Sequence, residues 1–336
     1  MADRAVPTQS VQVYPAQSFR VCTGAIQGDA VSWHGDLELD DLYALEHNAL
    51  RGRLSMQADS TGAFRVAEDT GIGQPGATLH LDCALTFMSP DGLTQDAVVI
   101  VELDEHEQIA AVYLLSLSEL RPKTEYALVG IDPKGARELF ARVASVYFTR
   151  GTHITMATGE QRRIETLNVG DRVLTRDDGV QEIRWIGSST TRAQGDMAPI
   201  LIEAGALNNA NDLIVSPNHR LFVYQREDRI GAGQAELMVK ARHLLNGDTV
   251  RVAHGGFVDY FQILFDRHHI IYAEGIAAES MLVDPRTKPS LPSELLEKLT
   301  EVIPGHTRSG HHGVDVQKAL LDRPDAIDIL RRASSR

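Results

Sequence analysis

Residues 145–173, SVYFTRGTHITMATGEQRRIETLNVGDRV, constrain the fold more than any other stretch of the chain. Val146-Tyr147-Phe148 start an apolar strand that runs into Gly151-Thr152. A second short alternating run, His153–Met156, breaks at Thr158-Gly159. Polar residues then lead through Ile164 and Leu167 to a turn at Gly170-Asp171, and a new strand begins at Arg172-Val173-Leu174-Thr175. Runs this short, closed by glycine at each end, are too brief for a helical repeat and read as strands joined by tight turns.

The rest of the chain follows the same pattern. Residues 1 to about 16 are polar and read as a flexible, extended lead-in. From 17 to 144, short β-branched or alternating runs recur at Phe19–Cys22, Ala63–Val66, Ala77–Phe87, Ala97–Leu103, Ile109–Leu115 and Tyr126–Ile131. Gly, Asp, Asn and Pro separate them, for example at Asp59–Gly62, Ser89-Pro90-Asp91-Gly92 and Asp104–Glu107, which suggests a compact β domain. Asp40–Leu50 reads as one or two helical turns, and Asp40-Asp41 as a solvated acidic turn or a weak cation site. His34, His47, His80 and His106 are scattered and carry no catalytic pattern. A short helix starts at Asp132-Pro133, where proline fits the first helical position. Its Ala136, Leu139, Phe140 and Val143 share one face, and it closes the domain at about Ala144.

A second β domain is expected over 145–285. Asp177-Asp178-Gly179 is a hairpin signal between Arg172–Thr175 and Val180–Ile186, because Asp-Gly tolerates positive φ. Pro199–Ala204 and Tyr260–Arg267 are further runs. Beyond, 286–336 reads as a helical tail. Pro292 opens a helix whose Leu295, Leu299, Val302 and Ile303 share a face; Val314–Leu321 and Ala326–Arg332 follow. His306, His311 and His312 lie in its Gly/Ser loop and read as linker rather than as ligands.

Composition excludes several functions. The chain has 336 residues, 43% hydrophobic and 24% charged, as in an ordinary globular protein. Its 33 Lys+Arg against 46 Asp+Glu give a net charge of −13, which repels phosphate backbones and anionic membrane surfaces. No nucleic-acid partner is expected. No apolar run reaches the roughly 20 residues a membrane span needs, and the first residues show no Sec-type apolar segment. Cys22 and Cys83 read as small apolar residues rather than a disulfide. A cytoplasmic location is the expectation, with unconventional export left open. No cofactor motif is present.

The order of motifs from Ser145 to Asp284 resembles the Hint domain, the fold shared by hedgehog autoprocessing domains and inteins. Bacterial members open Cys-Phe-Thr-Pro-Gly-Thr, then Gly-Glu, then Leu-x-x-Gly-Asp-x-Val-Leu-Thr. Phe148-Thr149-Arg150-Gly151-Thr152, Gly159-Glu160 and Leu167–Thr175 are similar. Gly205-Ala206-Leu207-Asn208-Asn209, Asp212–Leu221 with its Ser216-Pro217-Asn218-His219, Val239–Leu244 and Ala273–Ser280 continue the resemblance. Tyr147 stands where the family carries its nucleophilic cysteine.

The resemblance implies a mainly β fold and an acyl shift. In that reaction a Cys or Ser side chain attacks the carbonyl before it through a five-membered transition state, and the amide becomes a thioester or ester. The departing nitrogen needs a proton from a nearby imidazole, and the oxyanion needs donors. By resemblance Ser216 and His219 supply the acid and polarising part, and His268, or its neighbour His269, assists resolution or is structural. Ser145 is the short hydroxyl beside the Ala144–Ser145 bond, and it reads as a candidate nucleophile or as a plain linker residue. Thr149 is a less suited alternative at Phe148–Thr149. Glu279-Ser280 takes the place of the intein His-Asn end, so no asparagine is there to cyclise, and any activity would cleave or transfer the N-terminal part to an external acceptor. Three classes remain at this point: a Hint autoprocessing domain that is slow or inactive for lack of its cysteine, a non-enzymatic interaction scaffold, and a metal-dependent hydrolase using His219, His268, His269 and Asp266.

Overall fold

The computed structural model describes residues 8–59, 62–225, 231, 233, 235–284, 286–291, 314–315, 321 and 326–334. Strands dominate, and they sort into two compact units, residues 1–144 with 285–292 and residues 145–284 with 293–336.

In the first unit nine strands form one sheet. Six of them, Thr78–Met88, Phe64–Val66, Gly52–Ala58, Thr8–Pro15, Ile109–Ser116 and Thr94–Leu103, pair in a closed ring. Closure leaves these strands no free edge. Glu125–Asp132, Leu42–Leu45 and Phe19–Thr23 extend from the ring through Thr78–Met88. The long hairpin Thr78–Met88/Thr94–Leu103 turns at Ser89–Leu93, with Gly92 at φ +78, where the sequence places a turn. An aromatic cluster fills the core beside the ring: Phe19 stacks on Tyr43 at 5.3 Å and meets Phe87 edge-on at 5.2 Å.

Three sequence expectations change here. Thr8–Pro15, expected within a flexible lead-in, is a ring strand whose Val11 and Val13 are buried. Asp40–Leu50, expected as helical turns, contains the strand Leu42–Leu45, with Tyr43 and Leu45 inward on the two-residue period. Asp41 is not solvated. Its buried carboxylate accepts the backbone N–H groups of Ala25 at 2.6 Å and Ile26 at 3.2 Å, so it closes a loop from within. The helix is observed at Ala136–Ala144, with Leu139, Phe140 and Val143 buried as their spacing requires. It starts three residues later than Pro133, because Asp132 Oδ1 first accepts the Lys134 N–H in a turn.

The second unit contains two larger sheets and a hairpin. One sheet runs Trp185–Arg192, Phe257–Leu264, Phe148–Thr149, Leu213–Val215, Ile200–Ile202, Val250–Val252. The other runs Gln161–Arg163, His153–Thr155, Ile270–Ala273, Ile276–Glu279, Arg220–Tyr224, Glu236–Lys240, Val314–Asp315. Arg172–Leu174 and Val180–Glu182 form the hairpin, with Gly179 at φ +66 in its turn. The core joins Phe148, Ile154, Val173, Leu213 and Ile271 from these strands with Ile164 from the turn after Gln161–Arg163. Leu321, Ala326, Ile327 and Leu330 add to that core from the C-terminal region, whose helix spans Ala326–Ser334. Val314–Asp315, expected as part of a helix, pairs parallel with Leu237 and Met238. The helix expected from Pro292 to Ile303, and His306, His311 and His312, lie outside the described residues.

Candidate functional site

Residue 147 leads into the middle of the first of these two sheets. Phe148 pairs with Val215 on one side and Phe261 on the other, which fixes the backbone of the preceding residue. Leu213–Val215 then runs into Ser216-Pro217-Asn218-His219, a tight turn in which the His219 N–H donates to the Ser216 carbonyl at 3.0 Å. Proline suits the second position of such a turn, because its φ is already set.

The turn clamps residue 147 from both sides. The Tyr147 N–H donates to Ser216 Oγ at 3.0 Å, and the Ser216 N–H donates to the Tyr147 carbonyl at 2.9 Å. His219 Nδ1 lies 3.0 Å from that same carbonyl oxygen. Thus Ser216 and His219, about seventy residues downstream in sequence, converge on one backbone unit. Ser145 is buried two residues upstream of the clamp. The Tyr147 ring packs 5.0 Å from Tyr260, whose hydroxyl donates to the Met197 carbonyl at 2.8 Å.

His219 is fully buried, with the Phe148 ring 4.4 Å away at an edge-on angle. Its other nitrogen, Nε2, faces the Glu279 carbonyl at 3.1 Å. Burial holds its pKa below the ordinary histidine range. The Glu279 carboxylate and the two carbonyls oppose that shift, and Arg220 adds to it. His268 Nε2 is 3.4 Å from Glu279 Oε2. The His269 ring instead meets Asp178 at 2.9 Å through Nδ1, and the His269 backbone N–H donates to Ser280 Oγ at 3.0 Å. Burial also lowers the His269 pKa, against the pull of Asp178. Asp266 is bound at the surface by the Arg184 guanidinium at 2.8 Å. Of the four residues of the metal-hydrolase reading, His219 and His268 both reach Glu279, whereas His269 meets Asp178 and Asp266 meets Arg184.

Glu279 and Arg220 are the site residues that the sequence reading passed over. Arg220 follows His219 directly, and Glu279 enters the sequence reading only with Ser280, as the pair in the place of the intein His-Asn end. Their meeting depends on pairing between Arg220–Tyr224 and Ile276–Glu279, which no local spacing reveals.

Depressed histidine pKa values make stability depend on pH. A histidine whose folded pKa lies below its unfolded value of about 6.5 takes up its proton more readily in the unfolded chain. Its contribution is complete above that value and is lost as pH falls below it. The urea midpoint of the 145–284 unit is therefore expected to drop between about pH 7.5 and about pH 5.5, and His269→Gln should reduce the drop. A midpoint that stays level across that range would contradict these shifts.

Residues 146–285 match the family model described as the Hint domain. Solved structures with similarity to the chain include the bacterial intein-like domain from Clostridium thermocellum, at 15% identity over 40% of this chain and 97% of that one, with a TM-score of 0.30. The gp41-1 intein matches at 15% identity over 40% and 97%, TM-score 0.26, and the TvoVMA intein at 16% over 40% and 96%, TM-score 0.29. No curated protein sequence matches. The assignment rests on the family match.

Proposed function

We infer that this chain, a Hint-domain protein, keeps the polarising half of an acyl-shift site while Tyr147 occupies the nucleophile's position, so that the chain stays uncleaved. One observation carries the reading: Ser216 and His219 both hold the backbone of residue 147, and that residue has no short nucleophile.

The chemistry follows from the contacts. In an acyl shift at Val146–Tyr147, a sulfur or oxygen on the β-carbon of residue 147 would attack the Val146 carbonyl carbon. The C–N bond would break, and the residue 147 nitrogen would leave as an amine after taking a proton. Ser216 Oγ already touches that nitrogen, and His219 sits on the carbonyl oxygen of the same residue, three bonds away. A phenol oxygen at the far side of a ring cannot close the five-membered transition state. The tyrosine ring instead fills space against Tyr260.

Ser145 is the short hydroxyl that remains near the junction, and serine is a weak nucleophile without an adjacent base. Intact mass of the purified chain during prolonged incubation with hydroxylamine, which captures esters, tests the reading. A single species is expected. Fragments meeting at Ala144–Ser145 would overturn it and make Ser145 the nucleophile.

A further inference from the structure

Behind the histidine lies a buried charge that the acyl shift as described does not use. Glu279 is fully buried. The Arg220 guanidinium donates to its Oε1 at 3.2 Å and its Oε2 at 3.4 Å, and His268 Nε2 lies 3.4 Å from Oε2. Arg220 and His268 are themselves buried. The fold brings the three together because Glu279 ends a strand paired with Arg220–Tyr224 on one side and with Ile270 on the other.

Such a cluster is poorly explained by stability. Removing a carboxylate and a guanidinium from water costs as much as their attraction returns, and apolar pairs of similar size often do as well or better. A second contact gives the cluster a direction. The main-chain oxygen of Glu279 is the one that faces His219 Nε2 at 3.1 Å. With Nδ1 at 3.0 Å from the Tyr147 oxygen, both ring nitrogens face carbonyl acceptors. A neutral imidazole has one N–H, so only the protonated ring donates to both. Burial disfavours that form, and a nearby carboxylate favours it.

We propose that Glu279 is the positioning residue of His219: its main-chain carbonyl aims the ring, and its buried carboxylate, shared with Arg220 and His268, sets whether the ring holds the proton a departing amide needs. The last clause rests on the acyl-shift reading; the first two do not. The charged groups around the ring come from three elements: Glu279 from Ile276–Glu279, Arg220 from the strand that follows the histidine, and His268, through Glu279, from the segment before Ile270–Ala273. Arg220 opposes the protonated ring, and Glu279 supports it.

The test is an NMR titration of the imidazole rings in the full chain, comparing the unmodified protein with Glu279→Gln. Glutamine keeps the main-chain carbonyl and the shape while removing the charge. The His219 pKa is expected to fall by about one unit, the scale of a near charge in a protein interior. Should Glu279→Gln not fold, the double variant Arg220→Met/Glu279→Leu removes both charges without stranding either, and a smaller fall in the same direction is expected, because Arg220 opposes the protonated ring less than Glu279 supports it. An unchanged His219 in a folded variant overturns the proposal, and so does a ring that stays neutral at every pH in both proteins. A second arm separates this idea from the acyl shift itself. In a Tyr147→Cys background, the alkaline limb of the cleavage profile, where the ring gives up its proton, should move down in pH with Glu279→Gln. Cleavage with an identical profile in both would refute positioning. A shifted His219 in a cysteine variant that never cleaves would uphold positioning and refute the acyl-shift reading.

Discussion

Tyr147→Cys is expected to convert a chain that stays whole into one that breaks at Val146–Tyr147 when thiol is added. The thiol sits on the β-carbon, so its sulfur can reach the Val146 carbonyl through a five-membered ring, and a fraction of it is ionised near neutral pH. Attack yields a thioester and a free amine at residue 147, and an added thiol then releases the N-terminal fragment by exchange. The nitrogen that must accept a proton is already in contact with Ser216 Oγ. The substitution has a cost, because the phenol packs on Tyr260 and its loss leaves a void of the kind that costs about 3–5 kcal/mol when a large aromatic is truncated. Circular dichroism and mass spectrometry on the same sample separate the two effects. A folded cysteine variant that yields no fragments with thiol present would mean that the site has lost its working geometry, and the domain would then be a scaffold alone.

Loss of the C-terminal helix is expected to destabilise the Hint unit severely, although the family match stops at residue 285. Leu321, Ala326, Ile327 and Leu330 are buried in the same core as Phe148 and Ile271. Burial of each large aliphatic side chain contributes roughly 1.5–3 kcal/mol, so ending the chain at residue 320 removes on the order of 5 kcal/mol. That is a large share of the roughly 5–15 kcal/mol by which domains are stable. Leu330→Ala is the milder version, expected to cost about 2–5 kcal/mol. Denaturant titration followed by hydrogen exchange at residues 148–278 reads both. An unchanged midpoint would show that the helix rests on the core without supporting it.

Much of the strand pattern was legible because glycine marks its turns. Gly92, Gly159, Gly170 and Gly179 all adopt positive φ where the sequence breaks between apolar runs. Ser216 and His219 were legible as a motif, and the structure puts both on residue 147. The misses share a cause: burial created by distant pairing. Thr8–Pro15 looks polar, yet its partners Gly52–Ala58 and Ile109–Ser116 bury alternate residues. Asp41 looks like a surface acid until the loop at Ala25-Ile26 turns its N–H groups inward. Glu279 is one acidic residue in an apolar run. Its neighbours Arg220 and His268 reach it from other strands and turns, so nothing within ten residues announces a buried ion cluster. Val314–Asp315 is two residues long, below what any periodicity can register.

The central claim is that Ser216 and His219 are a working acid and polarising pair waiting on a nucleophile. It is tested most directly by the rate of thiol-dependent fragment formation in Tyr147→Cys, with and without His219→Ala or Ser216→Ala. Removing a positioned general acid or an oxyanion donor typically slows such chemistry by about 10²- to 10⁴-fold. Groups that act together lose about as much singly as in combination. Each second substitution is therefore expected to slow cleavage at least about a hundredfold with the fold intact, and the triple variant should be little slower than either double. Cleavage of the cysteine variant at an undiminished rate without His219 and Ser216 would contradict the claim.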